Sequence, residues 1–128
     1  MSLLINAAMA AGGALGAILG CSVLLLTGAS FFGINGALAT LSFNVVGSSV
    51  MGLLAGLVAG GPILPEVWRA FFAVGLLGAL TTFSSYAPDA STLLHKQGLG
   101  MAMLYVGLPL CFSLGSFALC YRLVRMPL

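Results

Sequence analysis

Five hydroxyl side chains crowd into the six residues Thr81-Thr82-Phe83-Ser84-Ser85-Tyr86, directly after the apolar run that ends at Leu80. Nucleophilic chemistry is not what they offer. The one histidine, His95, and the cysteines Cys21, Cys111 and Cys120 form no Cys-His, Ser-His-Asp or metal-ligand pattern, so Ser84 and Ser85 have no base and no enzyme is expected. Ion binding is the chemistry that suits the run. Unwound carbonyls hold a cation, whereas free amides and the positive end of a half-helix favour an anion. Gly75 and Gly78 lie just upstream and ease unusual backbone geometry. Phe83 and Tyr86, three residues apart, fall on neighbouring faces where helix resumes, and ring edges carry partial positive charge.

Two further polar stripes accompany this run. Thr40, Asn44 and Ser48 recur every four residues and must face protein or a water-filled path, because lipid supplies no hydrogen-bond partner. For Thr40 and Ser48 alone, an interhelical clamp or a bond back to their own helix is the plainer reading. Asn44 is costlier to bury and points further toward function. Tyr105, Ser113 and Ser116 share roughly one helical face, and Pro109 between them should bend the helix and free a carbonyl. Glycines at Gly12, Gly16 and Gly20, and again at Gly52, Gly56 and Gly60, make grooves for close helix packing in a compact assembly.

The elements that carry these residues follow from composition. Of 128 residues, 61% are apolar and 5% charged, against roughly a quarter charged in ordinary soluble domains. A spanning helix needs about 20 apolar residues, which allows about four spans and little else. The expected fold is an all-α integral membrane protein forming one membrane domain over 1–128. Its spans lie at about 3–27, 37–59, 67–88 with a break near 78–84, and 100–124. The first has no basic start and reads as a retained span, not a signal peptide. Phe31, Phe32 and Trp68 stand where interfacial anchors belong, and Gly60-Gly61-Pro62 with Pro65 stops the second span.

Glu66, Arg69, Asp89, Lys96, Arg122 and Arg125 all read as span edges or connections, with Asp89, His95, Lys96 and Gly98 in a loop before the last span. Arg69, Arg122 and Arg125 then share a side with the termini and Lys96 lies opposite, a weak bias toward termini inside. The net charge of +2 is scattered and makes no basic stripe for nucleic acid. The three cysteines lie in apolar stretches and read as packing residues without disulfides.

The run Gly75-Leu76-Leu77-Gly78-Ala79-Leu80-Thr81-Thr82-Phe83-Ser84-Ser85-Tyr86 resembles the third-span signature of the CrcB/Fluc fluoride channel family. Thr40-Leu41-Ser42-Phe43-Asn44-Val45-Val46-Gly47-Ser48 looks like its second-span motif, and Gly12-Gly13-Ala14-Leu15-Gly16-Ala17 like its opening one. The resemblance implies an antiparallel, dual-topology homodimer of four-helix subunits in the bacterial inner membrane, with passive fluoride export. It implies that Asn44 donates to fluoride, that Phe83 and Tyr86 offer ring edges, and that Tyr105 and Ser113 line a polar track, with Thr40 and Ser84 also in the pore. Gly78 and Thr81 would supply carbonyls to a structural sodium ion at the dimer centre. Three positions depart from the pattern: Gly20 replaces an arginine, Tyr86 a phenylalanine and Pro109 a hydroxyl residue, which leaves room for a divergent or heterodimeric member.

Two other readings compete. A small dual-topology proton-coupled exporter suits the size but normally needs an intramembrane acid, which Glu66 and Asp89 at span edges would not supply. A non-conducting assembly subunit would explain the glycine grooves and leave the hydroxyl run without a purpose.

Overall fold

The computed structural model describes residues 2–26, 34–61, 64–81, 83–84 and 86–126, with the side chains of 34–37 excepted. Phe31, Phe32, Pro62, Thr82 and Ser85 lie outside the described residues. Those described are helical or in short connections, in the order α1 (Leu3–Leu26), α2 (Ile34–Ala59), α3 (Glu66–Arg69), a π-helical stretch (Ala70–Leu77), α4 (Gly78–Leu80), α5 (Tyr86–Gln97) and α6 (Leu99–Arg125). Three of these helices are long and apolar enough to cross a membrane, within Leu3–Leu26, Leu38–Ala59 and Leu99–Arg125. In lipid the backbone must satisfy itself, and a continuous helix does so within one segment.

The helices pair by their glycine faces. Gly12 lies against the Phe71 carbonyl, Gly16 against that of Leu76, and Gly20 near Leu80, so α1 runs parallel to the segment from α3 to α4. A Cβ at Gly12 or Gly16 would strike backbone, and one at Gly75 would sit 2.7 Å from the Met9 carbonyl. In the same way Gly52 opposes Phe117 and Gly56 opposes Tyr121, which makes α2 and α6 parallel. At Gly20 and Gly60 a Cβ would meet only ordinary or mildly tight contacts, so those two ends of the stripes are not what brings the helices together. Contact between α1 and α2 is slight, and each belongs chiefly to its own pair.

The ends are closed locally. The Ser2 hydroxyl accepts from the Ile5 amide at 3.3 Å and begins α1. Arg125 donates to the Ala59 carbonyl at 3.0 Å, where α2 has run out of its own donors. Glu66 opens α3 at the positive end of its dipole. Trp68, Phe71 and Phe72 form an aromatic cluster behind it, with ring centroids 5.0 to 5.9 Å apart.

Gly78 is helical in α4, and the helix ends at Thr81, whose φ of −88° and ψ of 126° are extended. Two expectations are corrected. The stretch from Asp89 to Lys96 is not a loop: it belongs to α5, which is joined to α6 by Gly98 in the left-handed region at φ 88°. Asp89 is consequently not an edge residue but lies inside the bundle at 3% exposure. Its neighbours Tyr86 and Leu93 are buried with it, and positions i, i+3 and i+7 define one helical face turned toward α2 and α6. Cys21 and Cys111 are exposed on the outer surface and Cys120 is half-buried, all three with free thiols.

Candidate functional site

Polar and aromatic groups from α2, the connection between α4 and α5, α5 itself and α6 surround one open cavity of about 460 Å³. Asn44 and Ser48 come from α2, Thr81 and Phe83 from the break, Tyr86 from α5, and Pro109 and Ser113 from α6. Thr81 is seated by two bonds to the Leu77 carbonyl, from its amide at 3.0 Å and its hydroxyl at 2.8 Å. Its methyl lies directly against Gly47, where no side chain could fit, and this lets the break press onto α2. Phe83 is 82% exposed, stacked on Tyr86 at 5.5 Å, and Tyr86 is stacked in turn on Tyr105 at 5.0 Å. The Ser113 hydroxyl is the notable group. It is buried, lines the cavity and has no hydrogen-bond partner among the described residues, whereas Ser116 donates to protein carbonyls at 3.1 and 3.4 Å.

Beside this cavity lies a second polar cluster. Asp89 accepts from the Tyr105 hydroxyl at 3.1 Å and, at a long 3.4 Å, from the Thr40 hydroxyl, both on Oδ2. Oδ1 of the same carboxyl is buried without a partner. The Thr40 hydroxyl thus links α2 to α5. Substituting Asp89 by Ala should lower resistance to unfolding in detergent by about 1–3 kcal/mol, because two buried hydroxyls lose their acceptor.

Similarity to known proteins covers almost all of this frame. The family model for CrcB-like protein, Camphor Resistance (CrcB), matches residues 7–121. The chain belongs to the CrcB family. It is 39% identical over 127 residues to the fluoride-specific ion channel FluC of Rhodospirillum centenum, covering 92% of this chain and 93% of that protein. It is also 41% identical to the FluC of Shewanella amazonensis over 116 residues, and 40% identical to that of Aeromonas salmonicida over 118. In both, 91% of this chain and 92% of the relative are covered.

Within this CrcB-family chain, the residues singled out in the sequence divide into groups. Asn44, Phe83, Tyr86 and Ser113 line the one cavity together with Ser48 and Thr81. Tyr105 lines a neighbouring apolar groove with Leu93 and Leu104, and its hydroxyl is engaged by Asp89. Thr40 is likewise turned to Asp89. Ser84 is exposed at the break, and Gly78 is exposed at the end of the preceding helix. Asp89 is the residue that sequence reasoning missed. A helical reading of Tyr86, Asp89 and Leu93 as one face would have found it.

Proposed function

We propose that this CrcB-family chain is a subunit of a fluoride-selective channel that lets fluoride leave the cytoplasm passively. It is a multi-pass protein of a bacterial inner membrane, as its three apolar helices and its bacterial relatives agree. The single observation that carries the mechanism is the Ser113 hydroxyl, a buried donor with no protein acceptor on the wall of a cavity shared with Asn44 and two aromatic rings. A small, strongly hydrated anion entering there exchanges water for hydroxyl and amide donors and for ring edges, and does so at sites weak enough to release it. No covalent step is involved.

The segment from Glu66 to Leu80 and α5 together serve as the remaining span, broken at Thr81, so that each subunit crosses the membrane four times. An antiparallel pair of such subunits accounts for the exposed apolar side chains along α1 and α6, among them Leu15, Ile18, Leu104 and Leu110, some of which lipid covers. The Gly78 and Thr81 carbonyls lie where a helix ends, at the negative end of its dipole, and oxygen donors of that kind suit a sodium ion. Sodium bound there would fix the break; the pore donors are on other residues.

Asp89 favours one competing reading, because it supplies the buried acid that a proton-coupled exporter needs. Liposomes separate the two. Vesicles holding purified protein, clamped with a potassium ionophore, should lose fluoride rapidly and chloride hardly at all, with or without a proton gradient. Fluoride loss that stops when the proton gradient is collapsed would replace the channel with an exporter.

Ser113→Ala tests the site itself. Removing an unpartnered buried hydroxyl should leave stability unchanged or slightly raised. Fluoride efflux should nevertheless fall about tenfold, the size of one lost hydrogen bond to an ion. Unchanged efflux would remove Ser113 from the pathway.

A further inference from the structure

α6 contains a residue that cannot complete its own ladder. Pro109 has no amide hydrogen, so the carbonyl four residues earlier, that of Tyr105, loses the partner an α-helix would give it. That carbonyl is met from another helix. The Tyr86 hydroxyl lies 3.0 Å from the Tyr105 carbonyl oxygen and 2.8 Å from that of Val106, one phenolic proton donated between two acceptors. Tyr86 is 7% exposed, Pro109 is buried, and both line the cavity that holds Asn44 and Ser113.

We infer that Pro109 is a positioning residue for Tyr86: the carbonyl it frees is one of the two acceptors that hold the Tyr86 ring, and through stacking the Phe83 ring, on the cavity wall. The functional half of this inference rests on the fluoride-channel reading. The two positions are then one unit, not two unrelated departures from the family pattern. Phenylalanine at 86 would leave the Tyr105 carbonyl without its donor. Serine at 109 would restore an amide to that carbonyl, compete with the phenol for it, and leave the phenol only the Val106 carbonyl, which loosens the ring. Each single change leaves one group short of a partner. The two changes together leave none, because the restored amide takes the carbonyl and a phenylalanine ring asks for no acceptor.

Fluoride efflux from liposomes holding wild type, Tyr86→Phe, Pro109→Ser or the double variant tests this pairing. Each single variant should fall about tenfold while eluting as the wild type does, and the double should return to within about twofold of wild type. Losses that multiply in the double, or full efflux from both single variants, would overturn the inference. If Pro109→Ser does not fold, Pro109→Ala restores the same amide and takes its place. Unfolding midpoints of the same four proteins in detergent read the pairing without any flux. There the double should lie nearer wild type than the summed single shifts predict, and strictly additive shifts would overturn the pairing. Wild type that passes no fluoride, with the midpoints still non-additive, would overturn the functional half and the channel reading while leaving the physical pair in place.

Discussion

Asn44→Ala is expected to lower fluoride efflux about ten- to a hundredfold while leaving a folded protein. Asn44 is half-buried on α2, where it lines the cavity across from Phe83 and Ser113. Its amide is the one side chain there that can present two donors at once, and a hydrogen bond to an ion is worth about 1.5–3 kcal/mol. At about 1.4 kcal/mol per tenfold change, loss of that interaction gives the range stated. Phe83→Ile should act in the same direction by removing ring edges, and with 82% of Phe83 exposed the stability cost should be small. Efflux measured beside the unfolding midpoint separates a lost contact from a lost fold. Wild-type efflux from either variant would remove that residue from the proposed pathway.

Gly12→Ala and Gly16→Ala should be among the most destabilising single changes in the chain, with Gly52→Ala beside them. A Cβ at either position would lie against the backbone carbonyl of Phe71 or Leu76, which cannot step aside as a flexible side chain can. The π-helical stretch would have to move away from α1. Overpacking of this kind costs about 1–3 kcal/mol, and contacts with backbone belong at the upper end or beyond it. Within a membrane the penalty is not offset by hydrophobic attraction, because lipid is as apolar as the helices it separates. Gly13→Ala is the control. Nothing lies within reach of its Cβ, and alanine gains roughly 0.5–1 kcal/mol over glycine in a helix, so it should be neutral or slightly stabilising. Resistance to unfolding in detergent is the measurement. Equal loss from Gly13 and Gly16 would mean that close approach to the Leu76 backbone does not govern these positions, since helix propensity favours alanine at both.

The same contrast bears on the glycine stripes as a sequence signal. Spacing of four residues predicts which face of α1 or α2 packs, and Gly12, Gly16, Gly52 and Gly56 are tight contacts on those faces. Spacing does not say where along the stripe the crossing occurs. Gly20 and Gly60 continue the pattern past the close approach, and only the relative placement of the helices reveals it.

Composition alone determined that this chain is helical and made for a membrane. With 61% apolar residues and few charges, only a backbone that satisfies itself is stable there, and a hydropathic run of sufficient length leaves helix as the answer. The interruption near Thr81 was also legible, because five hydroxyls after an apolar run cannot all face lipid. Asn44, Phe83 and Tyr86 stood out through their motifs and Ser113 through helical periodicity, and the four line one cavity.

The tertiary structure alone decided the rest. Most of α5 reads as a connection because it carries Asp89, His95 and Lys96, and local polarity resembles a loop whenever its partners are distant. Thr40 lies 49 residues before Asp89 and Tyr105 lies 16 after it, so no window of sequence shows the carboxyl being received. Tyr86 and Pro109 each look like an isolated departure for the same reason. A proline states that a carbonyl has been freed, but which side chain meets it depends on how α5 lies against α6, and hydrogen-bond pairing across space leaves no periodicity in the chain.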